Sequence, residues 1–331
     1  MKRIKLGNSG VSLSEISLGA GRLGDASVED VCFAVADKYV ELGGDTFDTA
    51  RLYAGGNCDI ALGKWIASRK IRDKIVVVTK GSHPTVSMFT SRLSKEEITA
   101  DLDESLRVMN LDHSDVHILH RDDVKKPVGE IVDTLDSLVK SGKTRAVGVS
   151  NWTYTRIISA IEYARREGKT EPTVCQAHYS LALTTVPTTG DLTHLVINDS
   201  ESPWYKESGF ALMAFGSNAS GWFVKQSALP DSALVNIDPY KIPQSSHRNG
   251  YYGGLPDNYR RLARLRKLSA DTGYSLSAIT TAYSRDSGVN ATPLCAYSSV
   301  AQLEDSFGAL KFTLTKEQVR FLETGSEDPN I

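Results

Sequence analysis

Gly43–Tyr53 reads GGDTFDTARLY, Ile75–Lys80 reads IVVVTK and Asp115–His120 reads DVHILH. In each stretch a short, largely apolar run of strand length ends on a titratable residue: Asp48, Lys80 and His120, with Tyr53 closing the turn that follows Asp48. β-branched and apolar runs of that length, alternating with longer stretches of helical period, describe strand–helix–strand units joined into a parallel sheet. In a parallel barrel the polar residues at the C-terminal strand ends face the mouth, while strand interiors are packing. Three consecutive exits thus bring a carboxylate, a phenol, an ammonium and an imidazole to one rim.

Outward from these exits the same rhythm recurs about eight times. The expected strands are Glu15–Leu18, Gly44–Phe47, Ile75–Thr79, Val116–Leu119, Ala146–Val149, Thr173–Gln176, Ala211–Phe215 and Thr292–Ala296. Between them apolar residues recur three or four apart, as at Ile98, Leu102, Leu106 and Met109, which turns one stripe of each helix to the sheet. The fold expected is a (β/α)8 barrel, with residues 1–331 as one domain. Gly7–Gly10 reads as the turn of a small hairpin ahead of the first barrel strand, placed to cap the barrel floor. After Phe215 the spacing breaks: a Gly, Ser, Pro and Tyr-rich segment from Gly216 to Pro256 precedes a charged helix from Asp257 to Thr272. Residues 216–273 are therefore expected as an insertion at the mouth, where substrate loops sit.

Composition excludes several classes. The 331 residues carry 38 basic and 40 acidic side chains with no long run of one sign, so there is no footprint for nucleic acid or an anionic membrane. No apolar stretch is long enough for a signal peptide or a membrane span, which leads to the expectation of a cytoplasmic protein acting on a small molecule. Nothing fixes an oligomeric state. Cys32, Cys58, Cys175 and Cys295 lie far apart, without the close pairs of a zinc site or redox motif, and are expected to be reduced and mostly buried. No metal is expected.

The four polar groups at these three exits suffice for proton transfer to a carbonyl oxygen. A phenol with a pKa of about 10 is a weak acid near neutrality unless a cation stabilises its phenolate, and Lys80 is that cation. A desolvated ammonium itself needs a carboxylate, which Asp48 on the adjacent exit supplies. His120 would orient the substrate oxygen. Each residue alone reads as a surface charge, a cap or a satisfied structural group; four together at consecutive exits are much harder to read so.

FDTARLY, VVTKG, ILHRDD, GKTRAVGVSNW and VCQAHYS, in that order, resemble the signature stretches of the aldo-keto reductase superfamily, over nearly the whole chain. The resemblance implies a nicotinamide-dependent oxidoreductase acting on an aldehyde or ketone or the corresponding alcohol. It places the catalytic tetrad on Asp48, Tyr53, Lys80 and His120, with Tyr53 as general acid in reduction or base in oxidation. It further implies that Ser150, Asn151 and Gln176 hold the nicotinamide carboxamide, although Asn151 reads equally well as a helix N-cap. Phe215 stands where the family usually carries a tyrosine stacked on the nicotinamide. Gly216–Gly221 replaces the family's common Ser-Pro-Leu stretch under the pyrophosphate, and Gly216, Ser217 and Gly221 there still permit close backbone approach.

PLCAYSSVAQLEDSFGAL resembles the family's adenosine-binding segment, with Ser298, Ser299, Gln302, Asp305 and Ser306 at the contact positions. That segment has no cation for a 2′-phosphate, so NAD(H) as well as NADP(H) is expected to be usable, unless Lys225, Lys241 or Arg248 folds over from the insertion. No Gly-x-Gly-x-x-Gly follows a strand, so no Rossmann domain is indicated. For the substrate, His83, Arg121, Asp122, Trp152 and Trp222 are the expected contacts. With Asp123, Trp204, Tyr251 and Tyr252 they mix polar groups and flat faces, suiting a sugar-like carbonyl compound. Two other readings remain: a nicotinamide-binding regulatory or partner-binding subunit of the same fold, and a hydrolytic barrel using two carboxylates, in which Tyr53 and Lys80 would lack a task.

Overall fold

The computed structural model describes residues 1–85, 90–185, 191, 193–231, 234 and 251–326. Eight parallel strands close on themselves: β3 (Ser17–Gly19), β4 (Thr46–Asp48), β5 (Val76–Gly81), β6 (Ser114–Leu119), β7 (Thr144–Ser150), β8 (Val174–His178), β9 (Ala211–Phe215) and β10 (Ala291–Cys295), with β10 pairing β3. Each expected strand is present, Ala211–Phe215 with the expected bounds and the others within two residues of theirs at either end. Around the ring stand α1 (Glu29–Glu41), α2 (Asn57–Arg69), α3 (Lys95–Met109), α4 (Val128–Lys140), α5 (Tyr154–Glu167) and α6 (Ser202–Ser208). They continue with α7 (Trp222–Lys225), α8 (Pro256–Thr272), α9 (Leu276–Asp286), α10 (Val300–Phe307) and α11 (Lys316–Thr324).

The expected stripe of α3 is buried at Ile98, Leu102, Leu106 and Met109. Its start is a capping box, Ser94 Oγ accepting from the Glu97 amide while the Glu97 carboxylate accepts from the Ser94 amide, and it stops at Asn110 in the left-handed conformation. Thr153, and not Asn151, caps α5, accepting from the Arg156 amide.

The hairpin of β1 (Arg3–Lys5) and β2 (Ser12–Ser14) pairs Arg3 with Ser14 and Lys5 with Ser12. Leu6, Val11 and Leu13 of this hairpin share a buried cluster with Val76, Val78, Val116, Ile118, Ala146, Val174, Ala211 and Met213, so the barrel is plugged from below. These strand residues are alternate positions, because side chains of a strand alternate between faces. Continuing the same alternation up each strand leads from Val76 and Val78 to Lys80, from Val116 and Ile118 to His120, from Ala146 and Gly148 to Ser150, from Val174 to Gln176 and from Ala211 and Met213 to Phe215. The polar residues of the mouth are the last inward positions of the same rows that fill the core.

Within the expected insertion, Gly216–Gly221 is a tight turn leading into α7, and the charged helix is α8, which buries Tyr259, Leu262, Leu265 and Leu268. The helix that completes the seventh unit is α9, packed on β10. Tyr252 fastens the segment to the end of β8 through His178 at 3.0 Å, and Asn258 fastens it to the loop that follows through Leu183. Lys241 and Arg248 lie outside the described residues. All four cysteines are free and buried.

Candidate active site

At the exits of β4 and β5 the Lys80 ammonium lies 2.5 and 2.6 Å from the two Asp48 oxygens, both residues buried. Gln176 Nε2 donates to the same carboxylate at 2.8 Å, so two side chains grip Asp48. Burial by itself would pull the Lys80 ammonium down, but Asp48 and the Tyr53 phenol together outweigh it and hold its pKa above the ordinary value. Tyr53 follows in the turn closed by the Tyr53 amide on Ala50 O, and Lys80 Nζ stands 5.0 Å from its ring centroid. The Tyr53 side chain is half-buried. Its phenol is raised above 10 by burial, with Lys80 opposing and Asp48 adding to the rise.

His120 meets Tyr53 edge-on at 5.8 Å between ring centroids and His83 at 4.7 Å. Burial, then the charges of Lys80 and Arg121, keeps its imidazole neutral, well below 6.5. The exit loops that carry these groups are stitched to one another by backbone bonds: Arg51 N to Lys80 O at 2.8 Å and His120 N to Gly81 O at 2.9 Å. The three exits therefore bring the four polar groups Asp48, Tyr53, Lys80 and His120 together at the mouth.

Ser150, Asn151 and Gln176 lie together at the exits of β7 and β8, but each has protein partners. Ser150 Oγ donates to Gln176 O at 2.8 Å. Asn151 Nδ2 donates to Ser150 Oγ at 2.9 Å, while its Oδ1 accepts from Leu195 N at 3.0 Å. No described hydrogen bond engages Gln176 Oε1. Phe215 stands beside them, with His178 edge-on at 5.5 Å and His194 at 5.7 Å.

On one flank a cleft of about 470 Å3 is lined by Gly216, Gly221, Ser298, Gln302 and Asp305. Two cations also line it: Lys225 from α7, which donates to Ser220 O at 3.3 Å, and Arg22 from the loop after β3. The adenosine-binding segment itself has no cation; Lys225, one of the three expected as able to fold over from the insertion, lines the cleft, and Arg22 joins it from the loop after β3. Ser299 caps α10, Ser306 Oγ lies 2.6 Å from Ser277 Oγ, and Ser217 Oγ turns to Leu294 O and Cys295 Sγ, so these three hydroxyls are engaged in structure.

On the other flank a cavity of about 350 Å3 begins at Lys80 and His120 and is lined by Arg51, His83, Arg92 and Asp101. Of the expected substrate contacts His83 is here. Arg121 instead spans to the loop after β8, donating to Asp191 at 2.9 Å and Thr193 at 2.8 Å. Asp122 pairs with Arg156, whose guanidinium also covers the Trp152 ring at 5.1 Å. Trp152 and Trp222 are buried, the latter against Phe223, Tyr252 and Tyr259, and Trp204 packs on Tyr154 and Phe210. The flat faces that favoured a sugar-like substrate are spent on packing. Arg51 and Arg92 carry no sequence signal of a site, save that Arg51 lies inside DTARLY.

Comparison with known proteins agrees with this geometry. The model of the Aldo/keto reductase family matches residues 15–325. The chain is 26% identical to a norsolorinic acid reductase of Emericella nidulans, over 95% of this chain and 79% of that protein. It is 24% identical to an aryl-alcohol dehydrogenase of Pestalotiopsis microspora, over 98% and 81% respectively. Among solved structures, a thermostable aldo-keto reductase in complex with the inhibitor epalrestat superposes with a TM-score of 0.72 at 17% identity, covering 98% of this chain and 99% of the other, a likeness of fold. A match that spans the barrel and every polar exit leaves one assignment: the chain belongs to the aldo/keto reductase family and is an NAD(P)-dependent oxidoreductase.

Proposed function

We propose that the protein reduces an aldehyde or ketone to the alcohol with Tyr53 as the general acid. The observation that carries this is the buried Lys80–Asp48 pair beneath the Tyr53 ring, next to an imidazole held neutral. The nicotinamide, when bound, supplies the hydride. The substrate oxygen sits between the Tyr53 hydroxyl and an N–H of His120, which being neutral donates without competing for the proton. As negative charge gathers on that oxygen, the Tyr53 proton passes to it, and the phenolate left behind faces the Lys80 ammonium. Asp48 keeps Lys80 charged throughout, and Gln176 keeps Asp48 in place. A phenol whose pKa lies above 10 retains its proton at neutral pH, the state that reduction needs at the start and oxidation does not.

For the cofactor, the donor set fits a dinucleotide: Gln176 Oε1 is available to a carboxamide N–H, Phe215 offers a ring, and the left-handed Gly216 and Gly221 line the cleft that ends at Ser298 and Gln302. With Arg22 and Lys225 on its wall against the lone Asp305, that cleft accepts NADP(H) as well as NAD(H).

Tyr53→Phe tests the reading, because it removes the proton and keeps the ring. With a panel of carbonyl compounds and NADPH or NADH, followed at the nicotinamide absorbance, turnover falls by about 10²–10⁴-fold, while cofactor affinity measured by fluorescence quenching is retained. A variant that keeps near-normal turnover removes Tyr53 from the role.

A further inference from the structure

We propose that the substrate is an anionic carbonyl compound, its carboxylate or phosphate bound by the Arg51 guanidinium on the wall of the cavity that starts at Lys80 and His120. This deepens the reading above and rests on it for the identity of the reacting group.

Charge matching inside the cavity points to Arg51. The Lys80 ammonium is neutralised by Asp48. Arg92 meets Asp101 fork to fork, with 2.9 Å from each terminal nitrogen to a carboxylate oxygen, and Asp101 also accepts from the Ser82 amide at 2.7 Å. His83 adds no charge, since burial holds its imidazole below 6.5. Arg51 has one carboxylate within ion-pair range, Glu104 at 3.8 Å, and that carboxylate is already gripped by both the Nε and a terminal nitrogen of Arg107 at 2.7 and 2.8 Å. Asp59, near enough to act on Arg51 electrostatically, has its two oxygens hydrogen-bonded by the Thr49 and Ser105 hydroxyls at 2.6 and 2.8 Å and makes no hydrogen bond to the guanidinium. The cavity therefore carries one guanidinium with no carboxylate hydrogen-bonded to it among the described residues.

Arg51 is also held in place. Gly56 is left-handed, at φ 96°, and the Arg51 guanidinium lies across it where any Cβ would collide with Nη1. The backbone amide of Arg51 is bonded to Lys80 O at 2.8 Å, so the arginine shares one backbone frame with the ammonium of the reacting centre. A guanidinium fixed in this way offers two parallel N–H groups to a carboxylate or phosphate with little further ordering. A volume of about 350 Å3 lies at the small end of ligand cavities, which suits a short oxo acid or a triose phosphate.

The experiment compares kcat/KM within pairs matched in skeleton: 4-oxobutanoate against butanal, and glyceraldehyde 3-phosphate against glyceraldehyde. In wild type the anionic member of at least one pair is favoured by tenfold or more, and which pair shows it tells carboxylate from phosphate. In Arg51→Gln that ratio falls at least tenfold through KM, and in Arg51→Lys it falls less. Equal kcat/KM within both pairs, or a ratio that survives Arg51→Gln, overturns the proposal. Calorimetry with butanedioate and with inorganic phosphate on the Tyr53→Phe protein, loaded with NADPH, reads the anion site without turnover. Binding of one of them that Arg51→Gln weakens at least tenfold supports the site, even if no carbonyl in the panel is reduced, in which case only the catalytic reading fails. No binding of either, or binding that Arg51→Gln leaves unchanged, refutes it.

Discussion

Asp48→Asn isolates the charge on which the reacting centre depends, because the amide keeps the shape of the carboxylate while Lys80, buried to 0% exposure, loses its counter-ion. The ammonium then either stays charged in a dry site or sheds its proton. Shedding sets the ceiling on the cost. A lysine in an unfolded chain titrates near 10.4, so deprotonation at pH 7 costs about 4.6 kcal/mol, at about 1.36 kcal/mol per pH unit. Staying charged falls in the range of about 3–5 kcal/mol seen when one partner of a buried pair is removed. The variant is thus expected to lose about 3–5 kcal/mol of unfolding free energy at pH 7.

The pH dependence checks the cause. In the wild type the folded pKa of Lys80 is raised, so its contribution is complete below about 10.4 and is lost only above that. In the variant the folded value is depressed, so the unfolded chain binds the extra proton and the deficit shrinks as pH rises toward 10. Urea unfolding at pH 7 and pH 9, followed by tryptophan fluorescence, reads both: where Lys80 is neutral the deficit falls by up to about 2.7 kcal/mol between them. A deficit under about 1 kcal/mol at pH 7, far below the cost of an unpaired buried charge, would refute the argument that the pair is tightly coupled.

Three further outcomes follow from other parts of the molecule. His117, buried in β6 with Thr79 Oγ1 3.0 Å from its Nδ1, is pushed down to about 4 by burial, so below about 6.5 the unfolded chain takes up a proton that the folded chain refuses. The stability advantage of wild type over His117→Gln should shrink by up to about 3 kcal/mol between pH 6.5 and pH 4, and an advantage constant across that window in urea titrations counts against it. Gly44→Ala drives a methyl group into the buried Tyr39 ring, whose hydroxyl ties Ile16 O and the Thr46 backbone together, and costs about 1–3 kcal/mol; an unchanged melting transition would show that the ring yields freely. Arg22→Gln and Lys225→Gln each weaken NADPH binding by tenfold or more, the worth of about 1.5–3 kcal/mol in a charge-assisted hydrogen bond. An equal loss of NADH affinity places the cation at the pyrophosphate, a selective loss of NADPH places it at the ribose phosphate, and no loss of either removes it from the site.

Backbone periodicity controls the part of the fold and site that is legible in the residues. Alternation along IVVVTK and DVHILH decides which side chains point inward, so the rows that end in Lys80 and His120 follow from the residue order alone, and with them the meeting of Asp48 and Lys80. The stripe of α3 is legible for the same reason. What escapes depends on long side chains reaching across loops. Arg22 and Arg51 sit in turns, where no period fixes a direction, and their targets come from elements far along the chain. The tryptophans mislead because an indole serves a binding wall or a core equally well, and only the partners of Trp152 and Trp222 decide between them. Gln176, expected to face a ligand, also props Asp48, a contact between residues 128 apart that only closure of the ring creates.

That closure shapes how the chain can be made. The hydrogen bond between Ser17 and Thr292 joins strands whose residues stand 275 positions apart, and until β10 arrives β3 and β9 are bare sheet edges. At a synthesis rate of about 5–20 residues per second, the first strand waits about 14–55 s for its last neighbour. An unpaired edge of that age on a ribosome is a template for any extended chain nearby. The hairpin that plugs the barrel floor is translated before every strand it covers, which gives the early chain a partner for its apolar row while the ring is still open.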